Sequence, residues 1–178
     1  MKLKIETKRL VLRELLFSDA EAMFKMDSNP NVHTFLGSTP VKTIDDVNDF
    51  ISDVRTQYVV NKIGRFAIIH KDTNEFIGWA GLRFVIEPEN ELVNFFDLSY
   101  RLQEEHWGKG YAKEAAQAWL SYGFSKMKKH NIYASIHIDN RISKRILEKI
   151  GMTQKSEYKW NDIPCAWFEI TKEEYSKS

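Results

Sequence analysis

Cysteine is almost absent from the chain, because Cys165 is the single one among 178 residues. One cysteine cannot form an internal disulfide and has no partner for a thiolate metal site, so we predict no metal and a reducing compartment. Proline and glycine are also scarce, at 4 and 8 residues. With 43% apolar and 13% aromatic residues, this composition argues against disordered, collagen-like and low-complexity classes and predicts a packed globular protein.

Neither sign of charge dominates, since 26 Lys and Arg residues balance 25 Asp and Glu residues. A balanced chain has no overall field to attract a nucleic-acid backbone or an anionic membrane, so neither partner is predicted. No apolar run reaches membrane-spanning length, and the first 15 residues alternate charged with apolar side chains instead of forming a signal-peptide core. We therefore expect a soluble, cytoplasmic monomer or homodimer.

Hydrophobic periodicity predicts one α/β domain over residues 1–178, without repeat or linker. Alternating apolar runs bounded by turn residues indicate seven strands, near 9–15, 65–70, 75–86, 94–102, 132–138, 153–160 and 165–170. Apolar residues at helical spacing indicate four helices, which begin near Ser18, Ile44, Tyr111 and Arg141. Ser18 and Glu21 have the spacing of a capping box for the first helix. The third helix connects the fourth and fifth strands, and such a crossover is parallel and right-handed.

Two glycines, Gly108 and Gly110, stand where the fourth predicted strand leads into the third helix. The first turn of a helix offers amide groups without internal partners, the helix dipole adds positive charge, and glycine lets a phosphate approach closely. A phosphate site and a simple tight turn are both open from the loop alone. Because Ala112 follows and the next strand ends in Ile138, the dinucleotide pattern G-x-G-x-x-G with its acidic partner is missing. A dinucleotide-binding oxidoreductase is therefore disfavoured.

Two coupled motifs resemble those of the GNAT acetyltransferase superfamily: "WGKGYAKEA" at 107–115 and "NRISKRILEKIGM" at 140–152. The likeness is greatest to the branch of ribosomal-protein N-terminal acetyltransferases, and it covers nearly the whole chain, including "TKRLVLREL", "FIGWAGL" and "FFDLSYRL". It implies a single α/β (α+β) domain with a mixed sheet of about seven mostly antiparallel strands, a central parallel pair and four flanking helices. It also implies an enzyme that transfers an acetyl group from acetyl-CoA to a primary amine, either a protein or peptide N-terminus or a small amine.

The resemblance implies where coenzyme A would bind. The family pattern Q/R-x-x-G-x-G/A falls on Trp107, Gly110 and Ala112, with Trp107 departing at the first position, and its backbone amides would hold the pyrophosphate. The pantetheine arm would lie along the strand backbone at Tyr100, Arg101 and Leu102. The remaining implied contacts are Gly108, Lys109, Tyr111, Lys113, Asn140 and Ser143. The two lysines are equally explained as solvated residues at a helix start, and Asn140 as a helix cap.

Asp97 is the first candidate for the general base, because it matches an acidic residue of the branch's fourth strand. Its apolar neighbours would desolvate the carboxylate and make it a better proton acceptor. The alternative is a solvated or salt-bridged strand residue. His106 and His137 are weaker options.

The proton donor is less well defined, because the family's tyrosine four residues after Ser143 is replaced by Leu147. We assign Ser143 to this role as a hypothesis, with Tyr100, water or unassisted departure of the thiolate left open. The resemblance implies an oxyanion donor among the amides of residues 100–102, at a strand bulge.

The acceptor amine is expected in a groove with "SNPNVHTFLGSTP" at 28–40 and "WNDIPCAW" at 160–167 as its walls. Phe35, Trp160 and Trp167 would serve there as substrate contacts or as core residues. An alternative of another class is a non-catalytic, acyl-CoA-binding regulatory module, which the missing tyrosine and the uncertain base would suit.

Overall fold

The computed structural model describes residues 3–37 and 39–177. Within them one eight-stranded sheet has the order β1-β2-β3-β4-β5-β6-β8-β7. Its strands are β1 (Lys4–Glu6), β2 (Leu10–Glu14), β3 (Arg65–His70), β4 (Phe76–Val85), β5 (Phe95–Leu102), β6 (Asn131–His137), β7 (Thr153–Trp160) and β8 (Ile163–Thr171). Its helices are α1 (Ala20–Asp27), α2 (Pro30–His33), α3 (Ile44–Val60), α4 (Tyr111–Ser125), α5 (Arg141–Lys149) and α6 (Lys172–Tyr175).

The predicted crossover is confirmed, since β5 and β6 are parallel and α4 connects them. The other pairs of neighbouring strands in this sheet are antiparallel. The register between β5 and β6 contains a single pair, Asp97 with Tyr133. The two strands therefore separate towards their carboxyl ends and leave a gap in the middle of the sheet.

The predicted count of seven strands is wrong by one. The additional strand is β1, three residues long, in which Ile5 lies opposite Leu12 of β2. Three residues are too few for an alternating pattern to stand out in the sequence, and β1 forms by pairing with the edge of β2. The four predicted helices are confirmed, and α2 and α6 are additional helices of four residues each.

The predicted capping box at the first helix is wrong. The Asp19 carboxylate, not the Ser18 hydroxyl, accepts a hydrogen bond from the amide of Leu16 at 2.9 Å. A 3-10 turn over Phe17–Asp19 precedes α1, which begins without a side-chain cap. Asp19 is held in this role because both its oxygens lie 2.7 Å from the guanidinium of Arg13.

The sheet separates two layers of helices. Helices α4 and α5 pack on one face, where Trp119 is fully buried against Phe66 and Leu82 belongs to the same cluster. Helices α1 and α3 pack on the other face, around Trp79 and Ile69. Alternate residues of a strand point to opposite faces, so β5 directs its even-numbered residues to α4 and its odd-numbered residues to the α1 side. None of the helices in the described part of the chain is long and apolar enough to cross a membrane.

Candidate active site

The gap between β5 and β6 exposes backbone groups of β5. The amide of Gln103 donates to the carbonyl of Ile77 at 3.0 Å, so the odd-numbered residues at this end of β5 pair with β4. The amides of the even-numbered Tyr100 and Leu102 consequently point away from β4. Both residues lie beyond the last β5–β6 pair, so their backbone groups face the gap. The carbonyl of Leu102 accepts a hydrogen bond from Nε1 of Trp107 at 3.0 Å.

The bulge expected at residues 100–102 is absent from this strand pair. Strands β4 and β5 run in unbroken register from Gly78 opposite Leu102 to Val85 opposite Phe95. The irregularity lies instead between β3 and β4, next to Ile68. Divergence of β6 from β5, and not a bulge, leaves the β5 amides without a neighbouring strand.

The glycine loop adopts the backbone conformation that favours glycine. Gly108 has φ 72° and Gly110 has φ 81°, both in the left-handed region. A Cβ atom at Gly108 would meet no heavy atom within 4 Å, so packing within the protein does not explain the missing side chain. The space beside Gly108 is open, as close approach of a ligand to the backbone requires.

The loop ends at the first turn of α4, where Gly110 is the N-cap. The helix begins its backbone bonding with the amide of Glu114, which donates to the carbonyl of Gly110 at 3.1 Å. The amides of Tyr111, Ala112 and Lys113 come before this bond and have no acceptor within the helix. They form, with the loop, a cluster of N–H groups that suits a diphosphate.

Arg9, the residue before β2, and Glu114 of α4 connect the start of β2 to this loop, and no sequence pattern pointed to either. Glu114 accepts from the Arg9 backbone amide at 2.8 Å, from Arg9 Nε at 2.7 Å and from the Thr7 hydroxyl at 2.6 Å. Arg9 Nη1 also donates to the carbonyl of Lys109 at 2.9 Å. Burial alone would raise the pKa of Glu114, but the bonds from Thr7 and Arg9 outweigh burial and lower it. These contacts fix the position of the loop relative to the sheet.

Helix α5 presents Asn140 and Ser143 at the other side of the gap. The Asn140 side chain accepts from the amide of Ser143 at 3.0 Å, which is the capping role that the sequence left open. The Tyr100 hydroxyl donates to the carbonyl of Ser143 at 3.4 Å, and burial raises the pKa of Tyr100. Leu147, one turn further on, is fully buried.

A cavity of about 280 Å³ opens beside the gap. Of the predicted site residues, it is lined by Asp97, Tyr100, Arg101, Asn140 and Ser143. The loop residues do not line it: Trp107, Gly108, Lys109 and Gly110 are exposed on the surface, whereas Tyr111 and Lys113 are half-buried and Ala112 is buried. The structure thus brings the strand candidates Tyr100 and Arg101 together with the helix candidates, whereas Leu102 is buried and, like the loop, does not line the cavity.

The predicted acceptor walls are only partly in this cavity. Phe35 and Trp160 line it, and so does His137. Trp167 does not, because it is buried against Phe95 and Tyr133 as a core residue. His106 packs near Tyr111, outside the cavity lining. Within the predicted wall at 28–40, Ser38 lies outside the described residues.

Asp97 is buried, with 8% of its surface exposed, and it faces Arg83 across the β4–β5 pair. Arg83 Nε is 3.9 Å from Asp97 Oδ2, and Arg83 Nη2 is 3.9 Å from Glu89 Oε2. Glu89 also lines the cavity and accepts a hydrogen bond from the Tyr158 hydroxyl. Burial raises the pKa of Glu89. The sequence placed Glu89 in a turn, "EPENE", and nothing in that turn pointed to a site.

Residues 9–153 match the family described as acetyltransferase (GNAT) domain, and the chain belongs to this family. It is 30% identical over 176 residues to the N-acetyltransferase p20 of Bacillus licheniformis, with 96% of this chain and 97% of p20 covered. It is 33% identical over 156 residues to the N-acetyltransferase YnaD of Bacillus subtilis, with 87% and 85% covered. The predicted family and the predicted enzyme class, N-acetyltransferase, are thereby confirmed.

Solved structures show the same fold. A GNAT-family acetyltransferase from Bacillus anthracis has a TM-score of 0.81 and 27% identity, with 96% of this chain and 99% of that chain covered. RimJ of Mycobacterium smegmatis, solved in complex with CoA-disulfide, has a TM-score of 0.79 and 18% identity, with 93% and 83% covered. The mixed, mostly antiparallel sheet with one parallel pair is therefore the GNAT fold.

Proposed function

We propose that the protein transfers an acetyl group from acetyl-CoA to a primary amine. The observation that carries the proposal is the gap beyond the Asp97–Tyr133 pair, into which β5 directs the amides of Tyr100 and Leu102. A pantetheine chain has amide groups of its own, so these strand groups are suitable partners for it. At the end of the gap, the first-turn amides of α4 are suitable donors to the diphosphate.

Bound acetyl-CoA would supply a thioester carbonyl as the acetyl donor. The amides of Tyr100 and Leu102 are then the candidates that donate to the carbonyl oxygen as it gains negative charge. Both are backbone groups of a paired strand, so their direction is fixed before the substrate arrives. A donor held in a fixed position stabilises the transition state more than a mobile donor does, because it needs no reorganisation during the reaction.

Asp97 is the proposed base that removes a proton from the acceptor amine. It is buried, it lines the cavity, and among the described residues its one ion-pair partner is Arg83, at 3.9 Å. Its carboxylate thus retains capacity to accept a proton from a bound ammonium group. Glu89 is a second candidate, since burial raises its pKa towards neutrality and it shares Arg83 with Asp97.

Ser143 remains the proposed donor to the departing sulfur, with Tyr100 beside it. A thiol has a pKa of about 8.5, whereas an ordinary tyrosine has about 10 and burial raises that of Tyr100 further. An aliphatic hydroxyl is a weaker acid than a phenol. Neither group would therefore give up its proton completely, and each would act by donating a hydrogen bond to the sulfur.

The test is a thiol-release assay with acetyl-CoA and a panel of amines and peptides, run beside calorimetric titration with coenzyme A. We expect binding and amine-dependent release of thiol, with an acetylated product by mass spectrometry. Binding without release for any acceptor would favour a regulatory acyl-CoA-binding module. Absence of binding would overturn the proposal.

A further inference from the structure

Three arginine side chains line the cavity beside Asp97. Arg65 comes from β3, Arg83 from β4 and Arg101 from β5, which are three adjacent strands. The register places Arg83 opposite Asp97 and Arg101 opposite Trp79, so these side chains share the face of the sheet that α1 and α3 cover. The sequence did not predict this cluster of positive charge, because the three arginines are far apart along the chain.

Two of the three arginines have carboxylate partners. Arg101 Nη1 lies 2.7 Å from Asp27 Oδ1, and Arg83 is shared at 3.9 Å between Asp97 and Glu89. Arg65 has no carboxylate at ion-pair distance among the described residues.

The contacts of Arg65 are those of a cation without a counter-ion. Its Nε lies 3.5 Å from the Ser99 hydroxyl, at the limit of a hydrogen bond. Its guanidinium stacks over Trp79 at 4.9 Å and lies 5.7 Å from the Phe50 ring. Arg101 lies over the same indole at 5.1 Å, so one aromatic ring interacts with two cations.

The electrostatic surroundings of Arg65 are unfavourable to its charge. Burial, together with repulsion by Arg83 and Arg101, lowers the pKa of Arg65 to about 10, and only Asp97 opposes these effects. A guanidinium that is desolvated and repelled by like charges is stabilised when an anion binds next to it.

Unsatisfied hydrogen-bond donors occur at the same cavity. Trp79 Nε1, Arg83 Nε and Arg101 Nε are buried and have no acceptor within hydrogen-bond distance among the described residues. A buried polar group without a partner costs about 1–3 kcal/mol. All three groups are donors, so a ligand that satisfies them must bring acceptor atoms. Trp79 is 4% exposed and lines the cavity, which makes its N–H a donor held within the site.

The cavity therefore has two electrostatic parts. The register places the Arg83–Asp97 pair four residues along β4 and β5 from the Trp79–Arg101 pair, so the carboxylates of Asp97 and Glu89 lie near one pair. The guanidinium of Arg65 stacks on Trp79 of the other pair and adds positive charge and donors there. A molecule that is complementary to both parts has an ammonium group and an anionic group that accepts hydrogen bonds. At about 280 Å³ the cavity is at the small end of ligand sites, so the molecule is small.

We propose that the acceptor is a small amine that also bears a carboxylate, such as an α-amino acid, and that Arg65 binds this carboxylate while Asp97 faces the amine. This inference rests on the proposed function. A polyamine is the wrong acceptor for this cavity, because its second ammonium group would lie against Arg65. This distinguishes the chain from the spermidine N(1)-acetyltransferase of Vibrio cholerae, to which it is 22% identical over 151 residues.

The first experiment compares acceptors on the unmodified protein. Each amino acid is tested beside its carboxamide and its decarboxylated amine, and spermidine is included. We expect kcat/KM for the carboxylate form to exceed that of the carboxamide by about 10-fold to 100-fold, the effect of one lost charge-assisted contact. Equal values, or a preference for spermidine, would overturn the inference and leave the acetyltransferase proposal intact.

A binding experiment distinguishes failure of the proposed carboxylated acceptor from failure of the proposed acetyltransferase activity. The same ligands are titrated into the protein saturated with coenzyme A, and affinity is measured by calorimetry. Carboxylate-dependent binding without thiol release would support the inference and count against the proposed function. Binding that is indifferent to the carboxylate would overturn the inference, whatever the turnover.

Substitution at Arg65 provides the residue-level test. Arg65→Gln should raise KM for the carboxylated acceptor about 10-fold to 100-fold, leave coenzyme A affinity unchanged and abolish discrimination against the carboxamide. Arg65→Lys keeps the charge without the planar fork and should restore part of the affinity. The control is Arg145→Gln, at an exposed position of α5 outside the cavity lining. Retained discrimination in a folded Arg65→Gln protein would refute the assignment.

Discussion

Arg9, the residue before β2, and Glu114, in the first turn of α4, form a two-point contact. The Arg9 amide and Nε donate to the two carboxylate oxygens at 2.8 and 2.7 Å. The same guanidinium donates to the carbonyl of Lys109 in the glycine loop. A single carboxylate thus orients the arginine that holds the proposed diphosphate loop. The contact connects the position of the loop to the stability of the fold.

Glu114→Ala should destabilise the protein by about 2 kcal/mol, because it removes the acceptor of three charge-assisted bonds at a half-buried position. It should also weaken coenzyme A binding several-fold, since Arg9 would no longer be oriented against the loop. Chemical denaturation and calorimetry measure the two effects. Glu148→Ala, at an exposed position of α5, is the control. Equal losses of coenzyme A affinity in the two variants would show that Glu114 does not hold the loop in position.

The contribution of Glu114 should disappear in acid. Its pKa is lowered in the folded state, so its stabilising effect is complete above the unfolded pKa of about 4.3 and is lost as pH falls through the folded value. The stability difference between the wild-type protein and Glu114→Gln should therefore be constant from pH 7 to about 5.5 and shrink below about pH 4. Denaturation curves at several pH values measure it. A difference that persists at the acid limit would contradict this linkage.

The sequence predicted the glycine loop and the parallel crossover because both depend on local patterns. Gly108 and Gly110 precede a long amphipathic helix, and the length of the connection requires parallel strands. The contacts of Arg9 with Glu114, which lie 105 residues apart, depend on how β2 meets α4 and have no local signature. The same is true of Arg65, whose neighbours are set by strand register.

Local competition explains the smaller errors. Ser18 and Glu21 have capping-box spacing, but the Arg13 guanidinium holds Asp19 where it caps the preceding turn. The prediction of a bulge at residues 100–102 was wrong for another reason. Separation of β5 from β6 exposes the amides without any irregularity in the β4–β5 register. The catalytic and cofactor-binding roles of the named residues stay predictions that the variants test.

Gly108→Ala should reduce coenzyme A affinity at least about tenfold, the size of one lost contact with a charged group. Gly151→Ala is its matched control, because Gly151 has φ 91° and Gly108 has φ 72°, so both substitutions strain a left-handed residue by about 1–2 kcal/mol. Gly151 follows the carboxyl end of α5 and is not part of the glycine loop. We expect similar losses of stability and a loss of affinity in Gly108→Ala alone. Unchanged affinity in that variant would remove the loop from the cofactor site.

Asp97→Asn should lower kcat by about 100-fold, the lower range for loss of a general base, and leave coenzyme A affinity unchanged. Glu89→Gln is the competing variant, because Glu89 shares Arg83 with Asp97 and also lines the cavity. A large loss in Glu89→Gln with little change in Asp97→Asn would transfer the role of base to Glu89. Single-turnover kinetics at saturating acetyl-CoA distinguish a defect in chemistry from one in acceptor binding.

Ser143→Ala and Tyr100→Phe decide which hydroxyl assists the departing sulfur. Each removes one possible hydrogen bond to a developing thiolate, which is worth about 10-fold to 100-fold in kcat if it acts there. The stability cost of Tyr100→Phe should be under about 1 kcal/mol, because its bond to the Ser143 carbonyl is long at 3.4 Å. We expect the larger loss of kcat in Ser143→Ala, measured at saturating acetyl-CoA so that loss of the implied contact between Ser143 and coenzyme A does not contribute. If Ser143→Ala turns over normally and Tyr100→Phe does not, Tyr100 is the donor, and if neither loses activity the thiolate departs unassisted.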